Sequence, residues 1–125
     1  MARLRAALQP QRRELTALHI KVAAPSVSDA TVRRLFPPAL TDPLPATPDK
    51  TQIEGAFDLP YALPHQLVEQ VLCPSVLPVG YWRSVGHSYN AFFTECFLDE
   101  VAQALDQDPL DMRMKWLEAK PRHQA

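Results

Sequence analysis

A chain of 125 residues fits one domain, and a hydrophobic content of 46% is enough to build a core. Its 13 Lys and Arg against 14 Asp and Glu leave a net charge of −1, which argues against an electrostatic nucleic-acid binder. No run of 18 apolar residues is present to span a membrane, and the first 21 residues lack the apolar stretch of a signal peptide. Proline is frequent (13) and glycine scarce (3), so the middle of the chain is expected to be extended or irregular and to lie against something else.

Apolar and polar residues alternate over Arg3–Leu8 and again over Leu18–Val22, where Leu18, Ile20 and Val22 share one face and His19 and Lys21 the other. With the polar connection Gln9–Glu14 between them, residues 1–25 read as a β-hairpin. The arginines 3, 5, 12 and 13 then belong to a solvated strand face and its turn, and His19 is an outward, solvated residue. Residues 26–54 form a proline-rich connection (Pro37, Pro38, Pro43, Pro45, Pro48) with one helical turn over Val32–Phe36 before Pro37 stops it. An extended segment follows over 55–76, ending in a strand over Gln66–Leu72, with His65 as a polar residue at its start.

The hydrophobic period changes from 2 to 3.6 near Ser88, and residues 89–120 read as a helical pair. The first helix, Asn90–Leu105, is capped by Ser88 or Asn90. Its apolar face is expected to hold Phe93, Phe97, Val101 and Ala104, widened by Leu105 and by Cys96 as a buried, inert thiol. The second helix, Pro109–Ala119, has Asp108 as N-cap, Pro109 at the first position and a stripe of Leu110, Met114 and Leu117, and Pro121 closes it. Cys73 and Cys96 have neither metal-ligand spacing nor a C-x-x-C partner, so no disulfide is implied. The fold class is therefore α+β: hairpin, irregular crossing, one further strand and two helices.

The stretch Leu77–Ser88 precedes the first helix and contains Tyr81, Trp82, Arg83 and two glycines, Gly80 and Gly86. Two readings fit it. Backbone N–H groups at a helix start, with a guanidinium beside them, make an anion site. Equally, Arg83 in a surface loop can simply pair with Glu95 or Asp99.

Trp82-Arg83-Ser84-Val85-Gly86 resembles the F-R-G-F-G loop of xanthine dehydrogenases and aldehyde oxidases, and in the same register a helix follows that bears a Glu-Cys pair, here Glu95-Cys96. The isoquinoline 1-oxidoreductase type of large subunit is more similar still. It has a W-R-S-V-G-x-S loop, an Asn-Ala-Phe helix start, an Asp-Glu pair and an Asp-Pro helix opening, matched here by Asn90-Ala91-Phe92, Asp99-Glu100 and Asp108-Pro109. Glu54-Gly55-Ala56 and Leu59-Pro60-Tyr61-Ala62 resemble the strand before that loop, and Arg3–Pro25 resembles its hairpin without the usual turn glycine. The resemblance covers nearly the whole chain and is weakest over 28–50.

The resemblance implies an internal segment of a molybdenum-cofactor-binding domain, with 77–88 as its cofactor loop. The cofactor is molybdopterin, as its cytosine dinucleotide, and iron–sulfur clusters reside on a partner small subunit. The reaction is hydroxylation of an N-heterocycle or oxidation of an aldehyde, with water as the oxygen source. Arg83, Ser84, Val85 and Gly86 are the implied cofactor-binding residues, Arg83 acting largely through its backbone. Val85 stands where xanthine oxidases hold a phenylalanine over the substrate, and since valine cannot stack a ring, a substrate other than xanthine is expected. Ser84 replaces a glycine of the wider family. The family's essential glutamate lies far downstream and other cofactor contacts lie upstream, so these 125 residues hold no catalytic residue and no metal ligand. Alone they are expected to be inactive, and Phe92, Phe93, Phe97, Trp116 and Leu117 to include surface that the rest of the subunit covers. The competing readings are a protein-interaction module built on the helical pair, or a degenerate remnant of that subunit.

Overall fold

The computed structural model describes residues 1–41 and 48–124, so the expected prolines 43 and 45 lie outside the described residues. The class is α+β. Ala2–Gln9 (β1) and Glu14–Ala24 (β2) pair antiparallel, and Gln66–Leu72 (β3) joins β2 in parallel, giving the order β1-β2-β3. The expected hairpin is present, but its second strand starts at Glu14, four residues before the alternation becomes regular. Only a single 3-10 turn, Pro10–Arg12, separates the strands. Arg13 takes the left-handed position there (φ 54), doing what a glycine would do in that turn.

The short alternating pattern has a physical cause. Between Ala7 and Leu8 the register slips, since Ala7 faces Ala17 but Leu8 faces Leu15. Thr16 is the extra residue of this bulge, and its hydroxyl donates to the Ala7 carbonyl at 2.9 Å. The bulge lets Leu15 and Leu18, three apart, both point inward, where they are nearly fully buried with Ile20 and Val22.

Between β2 and β3 the chain forms helix α1 (Val27–Leu35), the one-turn α2 (Pro38–Thr41) and a 3-10 turn, Lys50–Gln52. Helix α1 is longer than the expected turn at Val32–Phe36, because Ser26 caps it by accepting from the Asp29 N–H. Segment 54–62 is not a strand. Turns run through Asp58, built on Gly55 in the left-handed region (φ 81), whose N–H donates to the Asp58 carboxylate at 2.6 Å.

Helix α3 runs over Val85–Ala104, five residues earlier than the capping residues suggest, and Ser88 and Asn90 lie inside it. Its buried residues are Gly86, Asn90, Thr94, Leu98, Val101 and Ala102. The face is therefore rotated from the expected one: Ala104 and Cys96 are exposed, while Phe93 and Phe97 are half-buried. Four-residue spacing through a glycine and two polar side chains hid it. Asp106 in the left-handed region (φ 53) then turns the chain into α4 (Pro109–Trp116). Asp108 caps α4 as expected, accepting from the Leu110 and Asp111 N–H groups. The inward residue is Met112, however; Leu110 is 66% exposed and Met114 36%. Pro121 does not close α4, which ends at Trp116, but opens the short α5 (Pro121–Gln124).

One sheet face carries the core. Leu15, Leu98, Val101, Ala102, Leu105 and Met112 form one cluster, and Leu18, Ile20, Val22 and Ala56 another, with Leu63 and Phe97 packed against both. Of the five residues expected to need outside cover, Leu117 is buried within the chain and Phe92 is 66% exposed.

Leu98 is fully buried at the centre of the first cluster, so Leu98→Ala should lose about 2–5 kcal/mol of unfolding free energy. Leu110→Ala, also apolar and also helical, should stay within about 0.5 kcal/mol. Urea titration of both variants checks the assignment of the faces; equal losses would contradict it.

Candidate functional site

The loop before α3 rests on a polar foundation that begins at Asp49. Its carboxylate accepts from the Ser26 hydroxyl (2.7 Å), the Ser28 N–H and hydroxyl (both 2.9 Å), and the Thr51 N–H (3.1 Å) and hydroxyl (2.6 Å). Burial pushes this carboxyl up, but the hydrogen bonds from Thr51, Ser28 and Ser26 outweigh it and bring the pKa down to about 2. Next to it Gln52 is fully buried. Its amide donates to the carbonyls of Ala24 and Pro25 at the end of β2, and its oxygen accepts from Gln70 of β3 at 2.6 Å. Gln70 also exchanges hydrogen bonds with the Asp49 backbone. The turn is thereby tied to the ends of two strands and to the start of α1.

The same turn grips the start of α3. The Asn90 amide donates to the carbonyls of Gln52 (2.8 Å) and Glu54 (2.9 Å), and the Tyr89 hydroxyl to that of Gln52 (2.9 Å). Burial, then the nearby Asp49 and Glu54 carboxylates, raise the Tyr89 pKa. Gly86 makes the approach possible: a Cβ there would stand 2.3 Å from the Thr51 carbonyl oxygen and 3.1 Å from that of Glu54. Its position is thus fixed by packing from beneath the loop.

Above this floor, α1 holds the loop from the side. The Arg34 guanidinium donates to the Val79 carbonyl, and the Tyr81 and Ser28 hydroxyls share a hydrogen bond of 2.7 Å. The chain then turns through Ser84 (φ 67, ψ −5) and Val85 (φ 41), two consecutive non-glycine residues at positive φ. Ser84 thus adopts the left-handed backbone that glycine adopts most readily. For β-branched Val85 it is a strained conformation, of the order of 1–3 kcal/mol, sustained by its surroundings. Arg83 and Ser84 are exposed, Val85 is half-buried, and Trp82 is 86% exposed. Among the described residues Arg83 has neither a hydrogen bond nor an ion pair, so it does not pair with Glu95 or Asp99.

Those two carboxylates belong to Arg113 of α4 instead. Its guanidinium donates to the Glu95 carboxylate at 2.8 Å and to the Glu95 carbonyl at 3.0 Å, and forms an ion pair with Asp99 at 2.8 Å. Burial lowers the Arg113 pKa, but Glu95 and Asp99 outweigh it, and the net shift is upward. Tyr61 donates to Glu95 at 2.9 Å and stacks edge-on against Trp116; burial, then Glu95, raise its pKa. This cluster clamps α3 to α4 and to segment 58–63. His19, expected to be solvated only, meets Glu69 of β3 at 2.5 Å. Among the described residues no group of three His, Cys, Asp or Glu could hold a metal ion, and no helix is long and apolar enough to cross a membrane.

The sequence reading found the loop and missed what supports it. Asp49, Gln52, Gln70 and Arg113 play no part in the sequence reading, and Asn90 enters it only as a helix cap and in the Asn-Ala-Phe match. The only local signals were Asp49-Lys50-Thr51, a pattern for an Asx turn, and the Ser26-x-Ser28 pair.

No family model matches the chain, and no solved structure does. Two curated proteins match. Isoquinoline 1-oxidoreductase subunit beta of Brevundimonas diminuta is 29% identical over 123 residues, covering 98% of this chain and 15% of the relative. The membrane-bound aldehyde dehydrogenase (pyrroloquinoline-quinone) of Gluconacetobacter polyoxogenes is 35% identical over 71 residues, covering 57% of this chain and 8% of the relative. The chain is therefore similar to oxidoreductase subunits and spans a small part of their length.

Because the Asp49 pKa is lower folded than unfolded, its contribution is complete above about pH 5 and is lost as pH falls toward 2. A shift of this size corresponds to about 2 kcal/mol. Urea midpoints measured across that range should fall less steeply for Asp49→Asn than for the wild type. Identical slopes would show that this carboxylate does not carry the linkage.

Proposed function

We propose that the chain forms one wall of the cofactor site in a molybdenum-containing oxidoreductase subunit, with 82–86 as the cofactor loop. The observation that carries this reading is the backbone at Ser84. The wider xanthine dehydrogenase family places a glycine there, and this chain holds the serine in the left-handed conformation that suits a glycine. The match to the isoquinoline 1-oxidoreductase subunit along 98% of the chain supports it.

The residues present fit an anionic group. Arg83 is exposed, with its guanidinium engaged by no carboxylate of the described residues, and it stands directly before the N-cap, at the positive end of a 20-residue helix. Arg83 and Ser84 would hold molybdopterin, as its cytosine dinucleotide, from this side. When bound, that group supplies two-electron oxidation of an N-heterocycle or an aldehyde, with oxygen from water, and passes electrons to iron–sulfur clusters on a partner subunit. Gly86 serves the loop by letting it lie on the 49–54 turn, and Val85 presents a small aliphatic side chain rather than a ring. The aldehyde dehydrogenase relative is named for a quinone instead, so the cofactor itself is what separates the two chemistries.

The complete subunit carrying this segment, purified with its iron–sulfur partner, should contain molybdenum; a quinone without molybdenum overturns the reading. In Arg83→Ala, metal occupancy and turnover should fall together, by a loss on the order of 1–3 kcal/mol for one charge-assisted contact. Arg83→Lys keeps the charge and the backbone and should lose less. Wild-type occupancy and rate in Arg83→Ala would show that the arginine has no part in the site.

A further inference from the structure

The sheet has a second face that α3 does not cover. It presents Arg3 and Arg5 of β1, His19 and Lys21 of β2, and Leu67 and Glu69 of β3. The register sets Arg3 directly against Lys21 and Arg5 against His19. Arg3 and Lys21, like charges opposed across a strand pair, are unfavourable when nothing negative lies over them. Glu69 is the one acid in these rows, and it is engaged by His19 at 2.5 Å and by Lys21 at 3.6 Å. Arg3 and Arg5 have no hydrogen bond or ion pair among the described residues. A surplus of positive charge is thus collected on one face of a chain whose net charge is −1.

The face is also half apolar. Beside Arg5 the small Ala7 and Ala17 leave a shallow hollow of about 380 Å³, walled by Leu67, which is 55% exposed. A helix is about as wide as two to three strand spacings, so one helix would cover this sheet.

We infer that the outer sheet face is the docking surface for an acidic, amphipathic helix from outside residues 1–125, whose apolar residues seat in the Ala7–Ala17–Leu67 hollow and whose carboxylates meet Arg3, Arg5 and Lys21. Charge complementarity selects the acidic partner, and the hollow selects a helix with an apolar stripe over a simple polyanion.

The test uses the 125-residue chain and a synthetic helical peptide of about 16 residues, matched to the length of β3. It carries leucines at i, i+3, i+4 and i+7 and glutamates elsewhere. Binding is read by fluorescence anisotropy of the labelled peptide. The glutamate peptide should bind, and its lysine counterpart should not. Replacing the leucines by serine should weaken binding about ten-fold or more, and so should Arg3→Glu/Arg5→Glu. That double variant should gain affinity for the lysine peptide. Arg5→Gln is the milder variant, and circular dichroism reports whether each retains its fold. Equal binding of leucine and serine peptides overturns the proposal, as does undiminished binding to the double variant. It is overturned equally if anionic vesicles or duplex DNA bind this face while the peptide does not, or if the face is buried by self-association in sedimentation.

Discussion

A single turn, residues 49–54, with Asp49 and Gln52 buried in it, sets the position of the elements around the loop. Gln52 is fully buried, and its amide can be satisfied only if the ends of β2 and β3 stand at one fixed separation. The carbonyls of Gln52 and Glu54 point the other way and are taken by Asn90 and Tyr89. A buried polar group without its partner costs more than the hydrogen bond contributes, and among the described residues the Asn90 Oδ1 is the one buried side-chain atom left without one. The sheet edge, the start of α1 and the start of α3 are therefore mutually fixed, with Gly86 as the point where backbone meets backbone.

This arrangement explains how two non-glycine residues can occupy left-handed positions in succession. Residues 77–81 are held by Arg34 and Ser28 of α1, and residues 86–90 by the turn beneath. Ser84 and Val85 have to bridge two anchored points, and the conformation follows from the anchors more than from local preference. Farther along α3, Arg113 serves the second half of the helix in the same manner, holding Glu95 and Asp99 against α4. The helix is thus fixed at both ends, and the exposed residues 82–84 are presented on a rigid base, as a ligand site requires.

Much of the architecture was legible in the sequence where period and capping agree. Strand β3 lies where the sequence places it, at Gln66–Leu72, and α4 starts at Asp108-Pro109 as its capping chemistry indicates. Helix α3 was found but mis-faced and begun late. Its inward positions in the first half are a glycine, an asparagine and a threonine, which no apolar pattern reveals. The bulge at Thr16 hid four residues of β2 for a related reason, since one extra residue reverses the alternation. The candidate loop was legible through its motif. Its support was not, because Asp49, Gln52, Gln70 and Asn90 are ordinary polar residues until the fold brings them together over separations of 18 to 38 residues.

The most direct test of this turn's role is the smallest possible addition at the point of contact. Gly86→Ala places a Cβ 2.3 Å from the Thr51 carbonyl oxygen. Amide hydrogen exchange of the variant should accelerate at residues 50–56 and 85–90, while the buried centre of β2 around Leu18–Val22 keeps its protection and global stability falls by about 2 kcal/mol or more. Wild-type exchange and stability in Gly86→Ala would contradict the claim that this turn positions the helix and its loop.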